Sequence, residues 1–296
     1  MIAQQILNGL IVGGVYALFA LGLTLVFGIH KILNLAHGAV FMAGAFFGLY
    51  GVLAGLPLWV VFPLAMLGSG LLAVLIDICA FRALRKRGET EFGPIVASIG
   101  VGLVITSIAQ RISNTNVMRF PFETLPVVSF RFAGLQITLL QLVISVSATL
   151  LIGLLTYFIY HTSEGRKIRA VASNERAAAL CGVNPARVFF ETFFMSGALA
   201  GAAGILVGLS FNSVHFLMGD GFMLRGFVVI VLGGLGSIPG ALGAGMLLGI
   251  VQTICVAYFS NGVSDAIVFT LLFAVLVLRP GGLFNFTDVG VLGARR

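Results

Sequence analysis

Read against its charged residues and its Gly/Pro breaks, the chain divides into eight apolar stretches, at about 5–27, 35–55, 57–81, 93–110, 137–160, 192–211, 222–236 and 240–278. A helix needs about 20 apolar residues to cross the hydrocarbon core of a bilayer. The last stretch holds nearly twice that and must divide, near Asn261 and Gly262, whereas 222–236 is short enough to be re-entrant. The pattern predicts an all-α chain. It is a polytopic transmembrane helix bundle, with about eight membrane segments if 222–236 is a hairpin arm and about nine if it crosses alone.

Composition leaves little room for any other class. Of 296 residues, 59% are hydrophobic and 9% charged, against roughly 25% charged in an average soluble domain. Too little polar surface remains to cover a water-soluble globule. Spans with short connections use the whole length, so residues 1–296 read as a single transmembrane domain. The net charge of +7 is not a nucleic-acid footprint, because the cations stand in short clusters with no basic stripe or interleaved aromatic platform.

Those cations report orientation instead. The positive-inside rule places Lys31, the loop with Arg82, Arg85, Lys86 and Arg87, the loop with Arg166, Lys167, Arg169, Arg176 and Arg187, and the tail with Arg279, Arg295 and Arg296 in the cytoplasm. Arg111, Arg119, Arg131 and Arg225 are left outside. Nine crossings satisfy this parity, with the amino terminus outside and the carboxyl terminus cytoplasmic. Cys79, Cys181 and Cys255 show no metal or redox spacing, and Met1 to Gln5 lacks the basic residues of a cleaved signal peptide. Pairs such as Gly9/Gly13, Gly44/Gly48, Gly197/Gly201 and Gly245/Gly249 are little more frequent than a scatter of 39 glycines would give. They read as ordinary close packing.

Several chemistries are excluded. A P-loop needs Gly-Lys-Ser/Thr, and Lys31, Lys86 and Lys167 follow His30, Arg85 and Arg166, so any ATP is used by another chain. There is no H-E-x-x-H and no G-x-S-x-G, so the chain is not expected to be an enzyme, and it offers no catalytic residue, metal site or cofactor site. Ion-coupled carriers place a carboxylate deep in the membrane. Here Asp77, Glu191 and Asp265 all fall near span ends, which suits paired or boundary charges.

Three constellations carry candidate chemistry. Asn34-Leu35-Ala36-His37-Gly38 follows Gly28 and Lys31 where two apolar runs meet. It is either a broken helix facing a cavity or a polar turn whose His37 bonds a neighbouring helix. Gly233-Gly234-Leu235-Gly236-Ser237-Ile238-Pro239-Gly240 is a glycine-rich break that makes either a tight loop or a re-entrant tip. The candidate substrate pathway takes Asn34, His37, Gly38, Gly236 and Ser237. In the longest inner loop, 161–191, Asn174 is a fair N-cap, Ala177, Ala178, Ala179 and Leu180 favour helix, and Gly182 is a C′ stop. A cytoplasmic helix of about two turns follows, too short to be stable alone. It is either a helix lying on the membrane face or on its own bundle, or a lever for an external engine.

At these same residues the chain resembles the permease subunits of branched-chain amino acid ABC transporters. The matching blocks are Gly22-Leu23-Thr24-Leu25-Val26-Phe27-Gly28 into Asn34–Gly38, Gly165-Arg166-Lys167-Ile168-Arg169-Ala170-Val171-Ala172 into Glu175–Asn184, and Gly233–Ala241. The middle block is similar to the coupling loop of ABC importers, Glu-Ala-Ala, three residues, then Gly. Ala177, Ala178 and Gly182 match, while Arg176 stands where the Glu belongs and Glu175 lies one place earlier. The resemblance implies a membrane permease in the bacterial inner membrane that pairs with a second permease as a heterodimer. It also implies two cytoplasmic ATPases, an extracytoplasmic binding protein, and coupling through Arg169, Glu175, Ala177, Ala178 and Gly182. The cargo it implies is branched-chain or similar small amino acids. The rival reading is a passive channel or facilitator for a small neutral solute such as urea.

Overall fold

Glycine decides how closely these helices approach. The computed structural model describes residues 2–88, 92–121, 124–126, 128–132, 135–279 and 281–284. Its elements run α1 (Ile2–His30), α2 (His37–Leu53), α3 (Leu58–Ile76), a π-helical turn (Asp77–Phe81), α4 (Arg82–Lys86), α5 (Phe92–Ile112), β1 (Ser129–Phe132), β2 (Leu135–Thr138), α6 (Leu139–His161), α7 (Ser163–Ser173), α8 (Glu175–Leu180), α9 (Pro185–Phe211), α10 (Met218–Gly233), α11 (Ile238–Tyr258) and α12 (Asn261–Leu278). Helix α1 lies at the centre, buried from Gly13 to Val26 and packed against α6, α7, α9, α10 and α11.

Lipid tails are as apolar as leucine, so helices in a bilayer associate through close van der Waals contact, which small residues permit. The pairs Gly9/Gly13 and Gly245/Gly249 face each other across the α1–α11 crossing. A Cβ on Gly13 would stand 2.8 Å from the Met246 Cα, and one on Gly245 would stand 2.8 Å from the Ala17 Cα. A second seam runs along α9, where Gly197 and Gly201 receive Ser69 of α3, and Gly201 also meets Gly44 of α2. The glycine pairs are therefore helix crossings, as close packing requires.

Contacts also fix direction. Helix α11 runs antiparallel to α1, since Ala17 meets Gly245 and Gly9 meets Ile250. Helix α10 runs parallel to α1, because Phe222 packs on Tyr16 while Gly226 abuts Phe19 and Leu23. Helix α9 is parallel to α2 and antiparallel to α3. Among the described residues, six helices are long and apolar enough to cross a membrane: α1, α3 continued to Arg85, α5, α6, α9 and α11. Two more, α2 and residues Gly262–Leu278 of α12, are apolar but shorter. The protein is a multi-pass membrane helix bundle.

The long apolar stretch divides at Phe259 and Ser260, where the Ser260 hydroxyl caps α12. Helix α9 begins at Pro185 rather than near 192, because Asn184 caps it and Pro185 supplies the preset φ of a first turn. The 161–191 loop holds a second helix, α7, which the polar sequence hides; Thr162 caps it and it buries Gly165, Ile168 and Val171. The connection between α5 and α6 contains the antiparallel pair β1–β2, a short departure from an all-α chain. Strand β2 is tied to α1 by Gln4, whose amide exchanges two 2.9 Å bonds with the Gln136 backbone. Arg295, Arg296 and the end of the 82–91 loop lie outside the described residues.

Candidate functional site

The first constellation is a break inside the bundle. Lys31 takes a left-handed conformation, φ 55°, that ends α1. Residues 31–36 then lie outside any helix until α2 starts at His37. Irregular backbone in a membrane survives only where its polar groups find partners. Here the Leu35 N–H donates to Ser98 Oγ of α5 at 3.1 Å, and the Ala36 N–H to Asn34 Oδ1 at 3.1 Å. The Ser98 hydroxyl passes its own proton to the Ile95 carbonyl at 2.7 Å.

His37 is fixed by α1 and α9. Its Nε2 is 3.2 Å from the Phe19 carbonyl, which can only accept, so this nitrogen carries the proton. Its Nδ1 stands 3.4 Å from Ser196 Oγ, whose hydroxyl donates to the Gly22 carbonyl at 2.8 Å. Gly38 meets Gly219 backbone to backbone, so the first turns of α2 and α10 touch. With Asn34 3% and His37 1% exposed, neither reaches a surface: His37 ties the start of α2 to α1 and α9, and Asn34 closes the turn that precedes it. Replacing Ser98 with alanine strands the Leu35 N–H. Hydrogen bonds inside membranes average about 0.6 kcal/mol and reach about 1.7, so a drop of about 2–5 °C in the melting midpoint of the purified protein is expected. An unchanged midpoint would show that this N–H has another partner.

Gly236 and Ser237 stand at the other end of α10, which at 16 residues spans about 24 Å. The glycine-rich break is the tight loop. Gly234 and Gly236 take φ of +94° and +87°, and the Ser237 hydroxyl caps α11 by accepting from the Gly240 N–H at 3.1 Å. Gly233 and Gly240 pack so closely that neither has room for a Cβ. The two groups of pathway candidates are thus not brought together.

The connection between α6 and α9 forms around its caps. Asn174 Oδ1 accepts from the Ala177 N–H at 3.0 Å to start α8. Gly182, φ +84°, ends it in a Schellman arrangement, with Val183 N–H on the Ala178 carbonyl and Gly182 N–H on that of Ala179, both 3.0 Å. Ala178 is buried against the bundle, whereas Glu175, Ala177 and Gly182 are exposed and Leu180 is 91% exposed. Arg169 is a brace rather than part of that exposed face, for its guanidinium donates to the Ile159 carbonyl at the end of α6 and lies 5.9 Å from the Tyr160 ring centre. On α7, the Lys167 ammonium bonds Glu164 at 2.7 Å and holds that carboxyl below the usual carboxylate range.

The acids near span ends are paired, as their positions suggested. Asp77 meets Arg85 at 2.8 Å, Glu191 meets Arg187 at 2.8 Å, and Asp265 meets Arg225 at 3.1 Å. The last pair borders a feature that sequence reasoning passed over. An aromatic column of Phe19, Phe41, Phe222 and Tyr16 leads from His37 toward the end of the bundle where α9 finishes. There a cavity of about 480 Å³ opens between Val207 and Phe211 of α9, the loop residues Ser213 and His215, and Met218, Phe222 and Arg225 of α10. The available signal was the i, i+4, i+7 spacing of Met218, Phe222 and Arg225 on one short helix.

Comparison with known proteins agrees with this architecture. Residues 5–276 match the family model described as "Branched-chain amino acid transport system / permease component". The chain is 32% identical over 302 residues, 97% of its own length and 96% of the relative's, to the high-affinity branched-chain amino acid transport system permease protein BraD of Pseudomonas aeruginosa. Identity to the corresponding LivH protein of Escherichia coli K12 is 32% over 300 residues, covering 97% and 96% of the two chains. A shorter region, 36% of this chain and 33% of the relative, is 31% identical to the ribose import permease protein RbsC of Escherichia coli K12.

Proposed function

The chain belongs to the family of permease components of branched-chain amino acid transport systems, and from that premise we propose that it forms half of the membrane pathway of an ATP-driven importer of branched-chain amino acids. The observation that carries the reading is α8. Six residues cannot hold a helix in water unaided, yet this one is capped at both ends, anchored by Ala178 and flanked by α7 and α9, and it presents Leu180 to solvent. A protein with no nucleotide-binding motif gains from such a projection only if another subunit grips it.

Two ATPases closing on ATP would move α8, and α9 would follow at once, because Asn184 joins the Schellman turn to its first residue. Helix α9 packs along α1, α2 and α3, so its shift reaches the junction where α2 and α10 meet at Gly38 and Gly219. Asn34, His37 and Gly38 then act as the fulcrum of the pathway, and Gly236 and Ser237 set the inner turn. The directions of α1, α2, α3, α5, α6, α9, α10, α11 and α12 alternate. This supports nine passes in a bacterial inner membrane, with the amino terminus outside and the carboxyl terminus cytoplasmic. A second permease completes the pathway, and a binding protein delivers cargo from outside.

Proteoliposomes holding the permease pair and the ATPases, with ATP sealed inside and the binding protein outside, test the proposal. Leucine should accumulate above its external concentration, and only with ATP. Equal uptake without ATP would assign a passive channel.

A further inference from the structure

The outer cavity has the chemistry of a carboxylate site built beside an aliphatic one. Of its polar groups, the Arg225 guanidinium is one-quarter exposed and uses one nitrogen, Nη2, on Asp265 Oδ1, leaving further N–H donors free to turn toward the cavity. His215 and Ser213 stand on the opposing loop. Phe222 forms a wall under the guanidinium, its ring centre 6.0 Å from the guanidinium carbon. Behind Phe222 lies a second, small pocket that shares Val207, Phe211 and Phe222 with the cavity and is otherwise lined by Ile11, Val12, Val15 and Ile144 together with Tyr16 and Ser210. A volume of about 480 Å³ falls within the range of small-molecule sites.

A fixed cation on one side and branched aliphatic walls on the other complement a small zwitterion with an apolar side chain. A neutral solute gains less from the arginine than a carboxylate, whose hydrogen bonds are charge-assisted at both ends, and a sugar gains little from Val207, Leu217 and Met218. The pair with Asp265 explains how the arginine is kept at this depth. An unpaired guanidinium is costly in a bilayer, whereas a single-contact pair leaves it both neutralised and able to take a second carboxylate. We propose that this cavity is the entry subsite for the cargo, in which Arg225 binds the α-carboxylate and Phe222, Met218 and Val207 receive the side chain. The inference rests on the importer reading and adds to it the group that selects an amino acid.

The test uses the complete transporter in proteoliposomes, with leucine and leucinamide, which lacks the carboxylate, as probes. Losing a hydrogen-bonded charge partner should raise the KM for leucine about ten- to hundredfold in Arg225→Gln. The maximal rate should change little, and the preference for leucine over leucinamide should vanish. Because that variant leaves Asp265 unpaired and risks misfolding, Arg225→Gln/Asp265→Asn is run beside it and should show the same loss. Arg225→Lys should restore part of the preference. A binding readout separates this idea from the importer reading. In a Ser213→Cys variant, labelling of that position by a water-soluble maleimide, read by peptide mass spectrometry, should be slowed by leucine and not by leucinamide, and Arg225→Gln should remove the protection. Protection without ATP-driven uptake in the parent protein would overturn the importer and keep the subsite. An unchanged KM and preference in the double variant, or protection by ligand-free binding protein alone, would overturn the subsite.

Discussion

Gly13→Val is expected to abolish most of the assembled protein, while Gly14→Ala, one residue away on the same helix, is expected to be neutral. A Cβ at Gly13 lands 2.8 Å from the Met246 Cα, a backbone atom that cannot swing aside. At Gly14 the nearest neighbour would be the Ala148 side chain at 3.6 Å, an ordinary contact. Overpacking typically costs about 1–3 kcal/mol where side chains can adjust. At a backbone-to-backbone crossing the helices must separate, and contacts along the whole α1–α11 seam go with them. The comparison is made by size-exclusion profiles of tagged protein extracted in mild detergent. Equal monodisperse peaks for the two variants would mean that the seam is not where the bundle is held together.

The second large effect belongs to α8. Leu180→Glu should reduce ATP-dependent leucine uptake at least tenfold and release the ATPases during purification, although the permease itself inserts and melts as before. A side chain 91% exposed contributes little to the permease's own stability, and surface changes of this kind stay within about 0.5 kcal/mol. Its contribution appears only when a partner covers it. Ala178→Glu is the contrasting change, since it drives a charge into the contact that anchors α8 and should lower the melting midpoint as well. If Leu180→Glu transports normally, the exposed end of α8 is not the point of engagement.

How far the sequence announced this structure depends on which physical force fixed each element. Helix positions were legible, because lipid demands continuous apolar runs and the chain supplies them; even the cut in 240–278 falls within two residues of Asn261. The cap chemistry around α8 was legible too. Asn174 and Gly182 do locally what those residues do in any helix, without help from the rest of the fold. Helix α7 was hidden, because its pattern is polar and its burial depends on α6 and α9. The role of His37 was ambiguous for a related reason. Whether a histidine lines a cavity or bonds a neighbouring carbonyl is decided by Phe19 and Ser196, which lie 18 and 159 residues away. Arg225 read as one more outer cation, since nothing in its neighbourhood along the chain reveals that Asp265 neutralises it from α12 while Ser213 and His215 close a cavity over it.

The central place of α1 has a consequence for biogenesis. One face of α1 is completed only when α11 is made, as Gly13 waits for Gly249 and Met246, and Tyr16 for Gln252, which lies 236 residues later and 2.6 Å away. Until α11 has been threaded into the bilayer, the notched face of α1 has only lipid against it. Nascent chains stalled before α11 should therefore be quickly cleared by membrane proteases. Supplying residues 234–296 as a separate polypeptide should prolong their lifetime, because the missing half of the seam would arrive from another molecule.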